Sequence, residues 1–113
     1  MAEIDAVKTI TTNGDLTLTW ADVTESDTFG RFDFAEVVKE ISVHVHGTFG
    51  GATVVVKGSN YDAEGVTLSQ LTGLAASVAA EALFSLLERP KFIQPVHSGG
   101  SSESVTVVML VKR

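Results

Sequence analysis

The chain contains no cysteine. That excludes disulfide staples, thiolate metal sites and cysteine nucleophiles, and ties the protein to no oxidising compartment. Basic residues are scarce: Lys and Arg number 8 against 14 Asp and Glu, a formal net charge of −6. They are scattered along the chain, whereas nucleic-acid binding draws on clustered cations facing phosphates, so no nucleic-acid partner is expected. Long apolar runs are also lacking. The longest, Leu74 to Leu87, is interrupted by Ser77, Glu81 and Ser85. It falls short of the roughly 20 residues that cross a bilayer as a helix, so no membrane partner is expected. Met1 to Asp5 holds neither the basic nor the apolar region of a secretory signal, which points to synthesis in a cytoplasm.

What is present is enough for one core. Of 113 residues, 44% are hydrophobic and 19% charged, the opposite of a disordered tail. A domain of this length buries roughly two-thirds of its unfolded surface, so residues 1–113 are read as a single domain. Apolar residues recur with period two. Leu16, Leu18 and Trp20 alternate with Thr17 and Thr19, and Ile41, Val43 and Val45 alternate with Ser42, His44 and His46. Val7 to Ile10 is a further strand, joined to the Leu16 strand through Asn13-Gly14, whose pair of residues favours a type I′ hairpin turn. Residues 1–12 are also read as an extended arm.

Gly47, Gly50 and Gly51 around Phe49 indicate a tight turn or bulge, followed by a β-branched central strand from Ala52 to Lys57. Turn chemistry from Gly58 to Gly65 ends it. Leu74 to Glu88 is ambiguous, since its Ala, Leu and Glu favour helix while Ala82, Phe84 and Leu86 alternate. A loop or one short helix near 74–82, followed by a strand from Ala82 to Leu87 stopped by Arg89-Pro90, is the expectation. Lys91 to Val96, containing Pro95, reads as an edge strand or extended loop, and Ser104 to Val111 as the closing strand. About seven or eight short strands separated by turns make an all-β chain, an antiparallel β-sandwich or jelly roll.

Reaction chemistry is hard to assemble from these residues. His44 and His46, at i and i+2 of a strand, project from one face about 7 Å apart. That spacing suits a shared metal with His97 as a third ligand, but no acid flanks the pair at ligand spacing, so solvent or interface positions are the simpler reading. Asn60 and Asp62-Ala63-Glu64-Gly65 lack the register of a calcium loop. Gly47 to Gly51 is followed by a strand rather than the helix that would hold a phosphate, and no Gly-x-Ser-x-Gly elbow occurs. No enzyme, cofactor or metal is therefore expected. Trp20, Phe29, Phe32 and Phe34 are either core filling or an exposed contact patch. Phe29, Arg31, Phe32, His44 and His46 are the residues expected to touch a partner.

Two segments carry a resemblance. Ile41 to Asn60 contains a strand, Gly47-Thr48-Phe49-Gly50-Gly51-Ala52, a valine-rich strand and Gly58-Ser59-Asn60. Phe92-Ile93-Gln94-Pro95, then Gly99-Gly100 and a terminal strand, completes the pattern over about the last three-fifths of the chain. In this it resembles small structural proteins of tailed bacteriophages of the capsid decoration, or cement, type. Two positions depart from it: Tyr61-Asp62 stands where Asp-Gly and then a tryptophan follow in such proteins, and Gln94 where arginine is frequent. The resemblance implies a virion protein on the outer capsid surface that binds the major capsid protein, bridges neighbouring subunits and associates with itself as a homodimer or homotrimer. A tail, neck or fibre component is the alternative within the virion. A carbohydrate-binding β-sandwich module is the alternative from another class.

Overall fold

This computed structural model describes residues 3–24, 26–34, 38–60, 69–70, 77–86 and 90–112. In chain order the strands are β1 (Glu3–Ile4), β2 (Val7–Ile10), β3 (Leu16–Thr24), β4 (Thr28–Phe29), β5 (Phe32–Asp33) and β6 (Glu40–Thr48). They continue as β7 (Ala52–Ser59), β8 (Ser69–Gln70), β9 (Ser77–Val78), β10 (Ala82–Ser85), β11 (Phe92–Gly99) and β12 (Ser104–Lys112). No helix occurs among the described residues. The chain is all-β. One large sheet has the order β10-β6-β12-β3-β2, a second runs β5-β11-β7-β8 with β9 also paired to β7, and β1 and β4 form a separate two-stranded sheet.

The period-two pattern explains why the two sheets face each other. β6 buries Ile41, Val43 and Val45, and β12 buries Val105, Val107, Met109 and Val111, leaving the intervening residues turned outward. The second sheet supplies Val54, Val56 and Ile93, and all of these join one apolar cluster with Trp20, Phe29 and Phe84. Trp20 and Val23, three positions apart, are both fully buried. A bulge makes this possible: Ala21 and Asp22 together oppose Thr106, Asp22 takes φ +52°, and its N–H donates to Thr106 Oγ1 at 3.0 Å.

Two of the places where the chain changes sheet are neighbouring turns. β6 leads into β7 and β11 into β12, and the turns are tied by Ser101 N–H donating to Gly50 O at 3.0 Å. Gly47 sits where the backbone of β12 comes closest, with φ +122°, and a Cβ there would overlap Ser104 O.

Several expectations shift in detail. β2 and β3 do form the first hairpin, with Ile10 opposite Leu16. The turn is not type I′, since Gly14 alone in it has positive φ, at +84°. Gly14 N–H donates to Thr11 O and Thr11 N–H to Asp15 O, a β-turn followed by a left-handed glycine. Residues 3–10 do not project as an arm: β1 lies parallel to β4 of the same chain and β2 closes the edge of the first sheet. The strand expected at Ala82–Leu87 is present as Ala82–Ser85; of the loop or short helix expected near 74–82, no helix is found at 77–82, where 77–78 are strand and 79–80 bends, and 74–76 lie outside the described residues. Phe92–Gly99 is a full strand, paired along its length with β7 and over Phe92 and Ile93 with β5. Beyond Ile93 its second edge is met by side-chain bonds rather than a ladder, which is where Pro95, lacking an N–H, is tolerated.

Gly47→Ala is expected to destabilise the fold by about 3 kcal/mol or more, because strain at positive φ adds to a backbone overlap. Gly14→Ala, at positive φ but with nothing within 4 Å of the added carbon, is expected to cost only about 1 kcal/mol. Urea denaturation of both variants measures the difference, and equal losses would contradict the close approach.

Candidate interaction surface

Residues opposite one another across an antiparallel ladder share a face. On the outer side of the first sheet, Leu83, His44, Val108, Thr19 and Val7 form one row crossing every strand. Ser85, Ser42, Leu110, Thr17 and Thr9 form the next. Neither row contains a charged residue other than titratable His44. Its two ends, Leu83 and Val7, are 69% and 64% exposed. Among the described residues charge returns at the margins: Glu40 and Lys112 face each other at one end, and Glu81 beside β10 and exposed Asp22 in the bulge opposite Thr106 lie at the other.

His44 and His46 lie on this face, with ring centroids 5.1 Å apart. His44 Nε2 is 3.2 Å from Glu81 Oε2, an exposed contact that contributes little to stability. His97, weighed as a third ligand, belongs to the other sheet. Among the described residues no group of three His, Asp or Glu is placed to hold a metal ion. Asp62 to Gly65, weighed as a calcium site, lie outside the described residues.

The remaining partner candidates sit elsewhere. Phe29 is 1% exposed and packs edge-on to Trp20 and His97, so it fills the core and offers no contact surface. Phe32 is half-buried against Phe34, at 5.3 Å between centroids. Arg31 lies 4.2 Å over the ring of Phe92, covering an aromatic that projects from the outer side of the second sheet. Lys91 reaches the same ring and bonds Asp33 at 2.8 Å. The five candidates are therefore dispersed: His44 and His46 lie on the outer face of the first sheet, Phe32 on β5 of the second, Arg31 just before β5, and Phe29 inside the core. Trp20 is also fully buried, its Nε1–H donating to Gly30 O at 3.0 Å, so its ring is no platform for stacking sugars.

Residues 27–30 cover the open edge of β11 through side chains. Gln94 Nε2 donates to Phe29 O at 2.7 Å, and His97 Nε2 lies 2.7 Å from Asp27 O. A carbonyl only accepts, so Nε2 carries a proton. The other ring nitrogen, Nδ1, is 2.9 Å from Glu103 Oε2, whose side chain is fully buried. A proton must also lie between these two atoms, which makes the imidazole and carboxyl a buried pair of net zero charge. Glu103 Oε1 is buried with no donor among the described residues. Sequence reasoning passed over Glu103, although it shares the inward parity of Val105, Val107, Met109 and Val111. The uncharged rows were passed over too, since their membership depends on which strands are neighbours.

No known family model matches the chain, and no curated protein matches its sequence.

Glu103→Ala leaves His97 Nδ1 without its partner, and is expected to cost about 2–3 kcal/mol. Glu103→Gln, whose amide donates to a neutral Nδ1, is expected to lose less than half as much. Chemical denaturation distinguishes them; a Glu103→Ala variant as stable as the parent would show that the pair contributes nothing.

Proposed function

We propose that this chain is a virion structural protein of the capsid decoration type, acting by binding the surface of a protein shell. The observation that carries the reading is the outer face of the first sheet. It is broad and paired across every strand, and its charge is confined to its margins although the chain carries a net charge of −6. Uncharged surface of this kind is removed from water at low electrostatic cost, whereas a face of like charges would repel an acidic partner. The resemblance of Ile41 to Asn60 and of Phe92 to Gly100 to tailed-phage proteins supports the choice of partner, the major capsid protein. Self-association as a homodimer or homotrimer places several such faces on one particle and strengthens weak individual contacts.

Purified protein added to expanded empty shells is expected to bind to saturation at a fixed ratio to capsid subunits and to raise the shell melting temperature. The absence of binding would overturn the reading, and electron-microscopic density of a labelled copy at a single vertex would reassign the chain to the neck or tail.

A further inference from the structure

No acid stands beside His44 and His46 in the sequence, but folding brings one. The β6–β10 ladder ends with Ala82 opposite Val45, so Glu81, one residue earlier, comes level with His46. Its Oε2 lies 3.2 Å from Nε2 of His44, 37 positions away. A carboxylate only accepts, so in neutral His44 the proton sits on Nε2 and Nδ1 keeps its lone pair. Metal-ligating histidines are held in this way, one ring nitrogen on a carboxylate and the other on the metal. The two rings also stand at the separation that one ion requires. A metal about 2.1 Å from an imidazole nitrogen lies roughly 3.2 Å from that ring's centre, so two rings at roughly 90–109° about one ion have centres about 4.5–5.2 Å apart. The centres of His44 and His46 are 5.1 Å apart. Turning either ring about its Cβ–Cγ bond aims a nitrogen while hardly moving the centre, so no backbone shift is needed.

We propose that His44 and His46 together bind one divalent transition-metal ion of the class that favours imidazole, such as Zn²⁺, Ni²⁺ or Cu²⁺, with Glu81 orienting His44. Among the described residues no group of three His, Asp or Glu is placed as a metal set, so the chain supplies two ligands and Glu81 acts through His44. The pair is open to an arriving ion, since the side chains of His44 and Glu81 are 42% and 71% exposed. Leu83, Thr106 and Val108, opposite the pair on the neighbouring strands, carry no charge to repel it. Two imidazoles suit neither Mg²⁺ nor Ca²⁺, which take oxygen ligands. They leave two positions of a tetrahedral ion open on the solvent side of the sheet, for water or for a ligand from another molecule.

Zn²⁺ titrated into the isotope-labelled full chain is expected to shift the ring signals of His44 and His46 and to leave those of His97, on the other sheet, in place. Ca²⁺ at the same concentration is expected to shift none of them. The second imidazole attaches intramolecularly once the first holds the ion. His44→Ala and His46→Ala are therefore each expected to weaken Zn²⁺ binding at least tenfold by calorimetry, with thermal melts unchanged because both side chains point away from the core. His44→Gln and His46→Gln serve if alanine disturbs folding. Glu81→Ala is expected to weaken binding by a smaller factor, while Cu²⁺ bound to that variant still shows two nitrogen ligands by electron paramagnetic resonance. No Zn²⁺ binding, or shifts confined to other residues, overturns the inference. So does a single-histidine variant that binds as tightly as the parent, which marks an adventitious surface ion only. Unchanged affinity in Glu81→Ala overturns its orienting role. The metal site is independent of the capsid reading: a chain that binds Zn²⁺ but no shell, or a shell but no Zn²⁺, overturns one and leaves the other.

Discussion

The pairing of β12 on both of its edges is the constraint on which the rest of the structure depends. Val111 lies opposite Leu16 on one side and Ile41 on the other, and Val107 opposite Trp20 and Val45. β12, distant in sequence from both of its partners, therefore joins the first half of the chain into a sheet, and without it β3 and β6 have no common neighbour. Its inward residues Val105, Val107, Met109 and Val111 are each fully buried. Burial of an aliphatic side chain contributes about 1.5–3 kcal/mol, so four of them match the roughly 5–15 kcal/mol by which a domain is stable. Closing such distant pairings is also slow, because loop entropy is lost before the contacts that offset it form.

A strand held on both edges has its register fixed, and the bulge against Thr106 follows from that. β3 must place Trp20 and Val23 inward against a partner that cannot slip, and one extra residue at Ala21–Asp22 is the available adjustment. Trp20 then reaches Gly30 O, which anchors the segment leading out of β4. Gln94 and His97 hold that same segment from the other sheet. Three side-chain bonds to backbone carbonyls thus connect the two sheets through one irregular stretch, and β1 rides on it by pairing with Thr28 and Phe29.

What was legible in the sequence divides along the same line. Strands with strict alternation, Leu16 to Trp20 and Ile41 to His46, stand where their pattern places them, because a period of two has one solution when one face is buried, and the apolar run of Ser104 to Val111 stands between them as the closing strand. The three aromatics Phe29, Phe32 and Phe34 have no period, and their fates differ: Phe29 is anchored in the core beside Trp20, while Phe32 pairs at the margin of the second sheet. Asn13-Gly14 marks a hairpin correctly and its turn type incorrectly, since the loop runs from Thr11 to Asp15 and requires positive φ only at Gly14. Of the partner candidates, His44 and His46 could be assigned a common outward face, but no local signal says that Leu83 and Val7, 76 positions apart in number, end the same row. That is a property of strand order, which sequence-local patterns do not encode.

Strand order also separates the two kinds of polar group in this protein. Glu103, at inward parity, is matched by His97 inside the fold, where an unpaired charge would cost several kcal/mol. Lys39, Glu40, Lys112 and Glu81 lie at the margins of the outer face, where water screens them and their pairing contributes little. The centre of that face is left with hydroxyls, short aliphatic chains and two imidazoles. Hydroxyls bond as readily to a partner's backbone as to water, and the flanking methyl groups gain from losing water altogether. A sheet surface built this way is stable alone because Thr and Val suit a pleated, half-exposed position. It is also ready to be covered, because nothing at its centre must be stripped of charge when it is.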